Sequence, residues 1–146
     1  MYLIGNADIR NCDVTSTIPN KFSQIVGESI VLNVDNTSFE NIEATYSPAL
    51  HLTTCNSTIR NSRFINLKAN KTSGAVGIKF ASNALIENCE FINTKSDKNA
   101  GAIYADIAGP GGSNGNLTIV NSRFENASSG FGGALMQLGG HLLISS

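Results

Sequence analysis

Apolar residues recur along this chain in short alternating runs, not at helical spacing. The segments Ile9 to Val14, Val34 to Phe39, Ile59 to Phe64, Ile86 to Phe91 and Ile119 to Phe124 superimpose without gaps. Each places a β-branched residue first and Asn third, and four of the five place Phe sixth. A further copy opens at Ile144-Ser-Ser. The first positions lie 25, 25, 27, 33 and 25 residues apart, a period in the range of solenoid repeats. A weaker run follows each motif: Pro48-Ala-Leu-His-Leu52, Gly74-Ala-Val-Gly-Ile78, Gly101-Ala-Ile-Tyr-Ala105 and Gly133-Ala-Leu-Met-Gln137. Each is a β-compatible stretch after a glycine or proline break. Two or three short strands per turn, none long enough for a helix, predict an all-β parallel β-helix, a solenoid of between five and six coils forming one domain over residues 1–146. The leucine and asparagine spacing of leucine-rich repeats is absent. The extra length of the longer coils is expected mostly in residues 94–100 and 106–116, as loops protruding from the wall.

In such a stack each position sits roughly 4.8 Å above its counterpart, so every column of the alignment becomes a ladder. The column Ile9, Val34, Ile59, Ile86, Ile119 and Ile144 is β-branched throughout and predicts an inward strand position. Phe39, Phe64, Phe91 and Phe124 stack in the same way, with Val14 in the terminal coil. Asn11, Asn36, Asn61, Asn88 and Asn121 form one asparagine column, and Asn41, Asn66, Asn93 and Asn126 another. Asn tolerates the left-handed backbone of a sharp corner, and stacked amides can hydrogen-bond from rung to rung. The outward columns check this register independently. Arg10, Asp35, Arg60 and Glu87 alternate in sign, as do Arg63, Glu90 and Arg123, whereas stacked like charges would destabilise the pairing.

Composition narrows the partners. Charged residues are 14% of the chain and the formal net charge is -1, which gives no electrostatic footprint for nucleic acid. No run approaches the roughly 20 apolar residues of a membrane span, and Tyr2-Leu3-Ile4 is too short for a signal core, so export would require a signal outside these residues. Cys12, Cys55 and Cys89 match neither metal-ligand spacing nor an even disulfide set. They read as three small buried thiols, or as one bridge at most. Cys12 and Cys89 share a column three coils apart, roughly 14 Å, beyond disulfide reach.

Carbohydrate cleavage would need paired carboxylates, or a calcium cluster with a basic residue. The acids are scattered. Asp35, Glu87 and Glu90 already have opposite charges in their columns; Glu40 with Glu43, or Asp97 with Asp106, are the remaining pairs that could meet. His51 and His141 belong to no nucleophile or metal motif and read as surface histidines, and no cofactor is implied. The run Gly109-Pro-Gly-Gly-Ser-Asn-Gly115 lacks the lysine of a phosphate-binding loop. If Leu50, Val76, Ile103 and Leu135 point inward, then His51, Gly77, Tyr104 and Met136 point outward as a shallow stripe. That stripe, with Asp106 and the two loops, is the candidate ligand-binding surface. Ile65 and Ile92 share another outward column, which a lateral contact could cover. Of the Asn-x-Ser/Thr sequons at Asn36, Asn56, Asn70, Asn116 and Asn126, Asn36 and Asn126 belong to corner ladders and should be inaccessible. That leaves Asn56, Asn70 and Asn116 as glycan acceptors in a secreted context.

The pattern Ile-x-Asn-Ser-x-Phe-x-Asn followed by Gly-Ala-Ile-Tyr or Gly-Gly-Ala-Leu is carried here by Asn61-Ser-Arg-Phe-Ile-Asn66, Gly101-Ala-Ile-Tyr104, Asn121-Ser-Arg-Phe-Glu-Asn126 and Gly132-Gly-Ala-Leu135. It resembles the right-handed parallel β-helix repeats of adhesin-like surface proteins of methanogenic archaea and, more distantly, chlamydial polymorphic outer-membrane proteins. The architecture is pectin-lyase-like and is shared with pectate lyases, polygalacturonases and phage tailspikes. The resemblance implies a right-handed coil, surface display and adhesion, an associational inference. Three roles follow: a non-catalytic structural or adhesive segment, a carbohydrate-active β-helix, or a stalk within an extracellular filament. The apolar strand Leu142-Leu143-Ile144 with no cap after it suggests a piece of a longer protein, or a subunit whose end docks on another chain. The expected partners are therefore further coils, other subunits at the open ends, and surface glycans.

Overall fold

The computed structural model describes every residue except Thr17, Asn20, Gly111 and Gly112. Its strands, numbered in chain order, form three parallel sheets. The first sheet stacks β1 (Tyr2–Leu3), β4 (Ile25–Glu28), β7 (Leu50–Thr53), β10 (Val76–Lys79), β13 (Ile103–Asp106) and β16 (Leu135–Leu138). The second stacks β2 (Ala7–Arg10), β5 (Val31–Asp35), β8 (Asn56–Arg60), β11 (Asn83–Glu87), β14 (Asn116–Val120) and β17 (His141–Ser145). The third stacks β3 (Asp13–Thr15), β6 (Ser38–Ala44), β9 (Arg63–Ala69), β12 (Glu90–Ser96) and β15 (Arg123–Glu125). Each strand from β1 to β14 pairs with the one three places later, so each full coil contributes one strand to each sheet.

The expected register is the observed one. Ile9, Val34, Ile59, Ile86, Ile119 and Ile144 are successive partners in the second sheet. Val14, Phe39, Phe64, Phe91 and Phe124 succeed one another in the third. The phenyl rings lie nearly parallel, 5.2, 4.6 and 4.9 Å apart. Isolated aromatic pairs prefer offset or edge-on contacts, but strand spacing dictates the stack here. Ile144 departs from the expectation of a core residue. It is 59% exposed, because its partner Ile119 covers one side only and no described rung covers the other.

Corner geometry explains the asparagines. All nine have φ between 45° and 56°, the left-handed region that Asn enters more easily than other side chains. In the second column each amide donates to the coil before it without a break: Asn66 to Asn41 at 3.0 Å, Asn93 to Asn66 at 3.0 Å and Asn126 to Asn93 at 3.1 Å. In the first column Asn36 donates to Asn11 at 2.8 Å and Asn88 to Asn61 at 3.4 Å, while Asn61 turns instead to the Asp35 carboxylate at 2.8 Å. The second column bends each long strand of the third sheet, so that Ile42, Leu67 and Thr94 follow it into the core.

Asn36 and Asn126 are exposed, contrary to the expectation that corner residues are inaccessible. Ladder bonding, not burial, is what withholds their amide nitrogens. A further asparagine ladder runs through two of the expected glycan acceptors: Asn116 donates to Asn83 at 2.8 Å and Asn83 to Asn56 at 2.9 Å. The Asn116 nitrogen is therefore committed, whereas Asn70 stands exposed beyond β9.

A hydroxyl or thiol column lines the same corner as the first asparagines. Cys12, Thr37, Ser62, Cys89 and Ser122 each donate to the carbonyl two residues back, at 2.6–3.3 Å. Ser62 Oγ in turn accepts the Thr37 N–H and Ser122 Oγ the Cys89 N–H. All three cysteines are free. Cys12 is exposed rather than buried, because only one rung lies against it.

The loop expectation holds for residues 106–116 and needs correction for 94–100. Residues 94–96 belong to β12 and pair with Leu67 to Ala69, with Thr94 and Ser96 buried. The longest coil owes its length to the second expected loop: nine residues separate Asp106 from Asn116, where three separate the partners Lys79 and Asn83. That difference accounts for all six residues by which a spacing of 33 exceeds one of 27. The insertion closes on itself through Gly115 N–H donating to Ile107 O at 3.0 Å, although Gly111 and Gly112 of the glycine-rich run lie outside the described residues.

Candidate functional site

Alternation along the first sheet sends Tyr2, Val26, His51, Gly77, Tyr104 and Met136 to the outer face as one column. The column is not a uniform stripe. Gly77 leaves a notch, and the turn before β7 folds into it. A Cβ on Gly77 would collide with Ser47 Oγ and stand 3.4 Å from His51 Nδ1. Ser47 is fully buried there, accepting from Ser73 at 2.8 Å and sharing a 3.2 Å hydrogen bond with Thr72.

Below this notch opens a groove of about 310 Å³ lined by Phe22, Ser23, Val26, Tyr46, His51 and Lys79. Val26 and His51 come from the outer column, and Lys79 from the parallel column beside it. Phe22 and Tyr46 arrive from the turns that precede β4 and β7. Lys71 stands over the Tyr46 ring and Lys21 over the Phe22 ring, each with Nζ 5.6 Å from the centroid, a cation–π distance. Among the described residues no carboxylate lies within ion-pair distance of Lys21, Lys71 or Lys79.

His51 is not a plain surface histidine. It is half-buried, and its Nδ1 is buried with no hydrogen-bond partner among the described residues. Burial lowers its pKa below the usual value and the Lys79 ammonium lowers it further, so the ring is neutral at pH 7. Of the other residues expected on the ligand surface, Tyr104 is buried at 8% exposure. Burial raises its pKa, and Asp106, which accepts its hydroxyl, raises it further. Asp106 and Met136 are half-buried and lie outside the groove.

Most of the acids are engaged along the walls. Glu87 meets Arg60 at 2.8 Å, Glu90 meets Arg63 at 3.2 Å and Arg123 at 3.6 Å, and Glu125 also meets Arg123. Glu43, which could have joined Glu40, is held by Lys68 at 2.9 Å, and Glu40 accepts from Ser38. Arg10 pairs with Asp8 in its own strand at 3.5 Å rather than with Asp35 across the rung. Among the described residues no group of three or more His, Cys, Asp or Glu side chains is placed to hold a metal ion.

Sequence reasoning found His51 but not Phe22, Tyr46 or Lys79. Phe22 and Tyr46 sit outside the repeated columns, so no alignment flags them. A usable signal was Gly77, a lone glycine in an outward column next to a histidine.

A family model described as the right handed beta helix region matches residues 2–142. No curated protein and no solved structure gives a significant match. With three parallel sheets, one strand per coil in each, and a family match over nearly its whole length, the chain belongs to the right-handed β-helix family.

Proposed function

We propose that this chain is a non-catalytic structural and adhesive β-helix, displayed at a cell surface, that presents the groove around His51 as its contact face. The observation that carries the reading is where the acids go: Asp8, Asp35, Glu28, Glu40, Glu43, Glu87, Glu90 and Glu125 each hold an arginine, lysine, hydroxyl or amide partner along the wall. A glycosidase needs two free carboxylates facing one bond. The resemblance of the repeats to adhesin-like surface proteins supports surface display. The concave, mostly apolar groove with a few polar groups supports recognition without turnover.

The test is an assay for new reducing ends or unsaturated products on polyuronides and on mixed surface polysaccharides, beside retention of the protein on the same immobilised material. Retention without product is expected. Turnover that disappears when a single acid is changed to its amide would sink the reading and favour a carbohydrate-active enzyme.

A further inference from the structure

Charge and shape in the groove narrow what it can take. Three ammonium groups gather at it: Lys79 in its lining, Lys71 over Tyr46 and Lys21 over Phe22. None is neutralised by a carboxylate among the described residues. Two acids lie on this face, Glu28, which accepts the Tyr2 hydroxyl at 2.6 Å, and Asp106, which lies one rung above Lys79 and accepts the Tyr104 hydroxyl; neither closes an ion pair with Lys79. An apolar anion-free floor made by Val26, Phe22 and Tyr46 lies beneath those charges. About 310 Å³ stands at the small end of ligand pockets, which run from roughly 300 to 1,000 Å³, so one ring fits and an extended chain does not.

We propose that the groove binds a single terminal sugar ring carrying one carboxylate or sulfate, with the apolar face of the ring on Tyr46 and Phe22 and the anion against Lys79. Ser23 and the exposed edge of His51 supply the polar contacts that a sugar hydroxyl requires. Stacking on an aromatic face is sequence-tolerant and modest, whereas the lysine contact is charge-assisted and selects the anion. This deepens the adhesive reading and rests on it for the supposition that glycans are the partner.

The test uses the whole chain in amide and imidazole NMR titrations with four probes: a methyl glucoside, its 6-carboxylate, its 6-sulfate, and sulfate ion alone. The two anionic rings are expected to shift His51, Tyr46 and Lys79 signals to saturation. The neutral ring should bind at least about tenfold more weakly, since one charged hydrogen bond is worth that much. The relative affinities of carboxylate and sulfate assign the source of the anion. Lys79→Gln should weaken both anionic rings to the level of the neutral one without moving the thermal midpoint. Tyr46→Leu should weaken all three rings. Equal binding of neutral and anionic rings, saturation at another face, or an unaffected Lys79→Gln would each overturn the proposal, as would sulfate ion alone matching the rings. Appearance of cleaved product in the same spectra would instead refute the non-catalytic reading and leave the binding site standing.

Discussion

Phe64 is enclosed above and below by Phe39 and Phe91 and has no exposure. Phe64→Ala should therefore cost about 3–5 kcal/mol, the range for emptying a well-packed aromatic site. Phe124 is half-buried with a ring on one side only, so Phe124→Ala should cost clearly less; urea denaturation midpoints of the two variants measure the difference. His51 supplies a pH dependence whose sign follows from its lowered pKa. The unfolded chain binds a proton near pH 6.5 that the folded chain refuses, so stability is full above that pH and falls as the pH drops below it. Between pH 8 and 5.5 the wild type should lose more stability than His51→Gln, followed by thermal unfolding. Burial pushes the Cys89 thiol up to about 11, and Cys12 is exposed. Under native conditions an alkylating reagent read by mass spectrometry should modify Cys12 and spare Cys89, because the thiolate is the reactive form.

At the scale of an element, the corner asparagines do two things that substitutions can separate. Asn66 has φ 54° and bonds to the rungs on both sides. Asn66→Gly keeps the backbone and loses the ladder, about 1 kcal/mol for each of the two hydrogen bonds; Asn66→Ala adds the left-handed penalty of roughly 1–2 kcal/mol. Alanine should be the worse of the two in equilibrium unfolding; equal losses would mean that the amide ladder, which both variants lack, carries the effect and the left-handed corner does not. The insertion supports a similar argument. Because Ile107 and Gly115 already touch through a backbone bond, deleting residues 109–114 leaves the three-residue turn of the coil below. Stability should shift by no more than about 1 kcal/mol, since loop closure depends weakly on length.

The same elements show what was legible in the sequence. Columns that recur, such as Ile59 over Val34 or Asn93 over Asn66, declare both register and corner, because selection for stacking repeats the residue. The Asn56, Asn83 and Asn116 ladder was equally legible, three places before the isoleucine column, yet Asn56 and Asn116 read as glycan acceptors when taken singly. The groove was not legible: Phe22 and Tyr46 reach Lys79 of β10 from turns that do not repeat, and the burial of Tyr104 has no signal in its outward register.

Seen whole, the molecule is close to one-dimensional, since each coil touches only the coils beside it. Amide exchange should therefore be slowest in the coils around Phe64 and Phe91 and faster in β1 to β3 and in β17, where residues such as Ile144 are exposed. The ladders also give the column a sense of direction. In every side-chain amide contact between coils among the described residues the later residue donates and the earlier one accepts: Asn36 to Asn11, Asn61 to Asp35, Asn83 to Asn56, Asn126 to Asn93. One end of each file therefore presents oxygen and the other nitrogen. Two copies meeting through the same end would set lone pair against lone pair or proton against proton, whereas opposite ends match like plug and socket. The side chains thus discriminate against mirror-wise stacking, before any shape or apolar contact is considered.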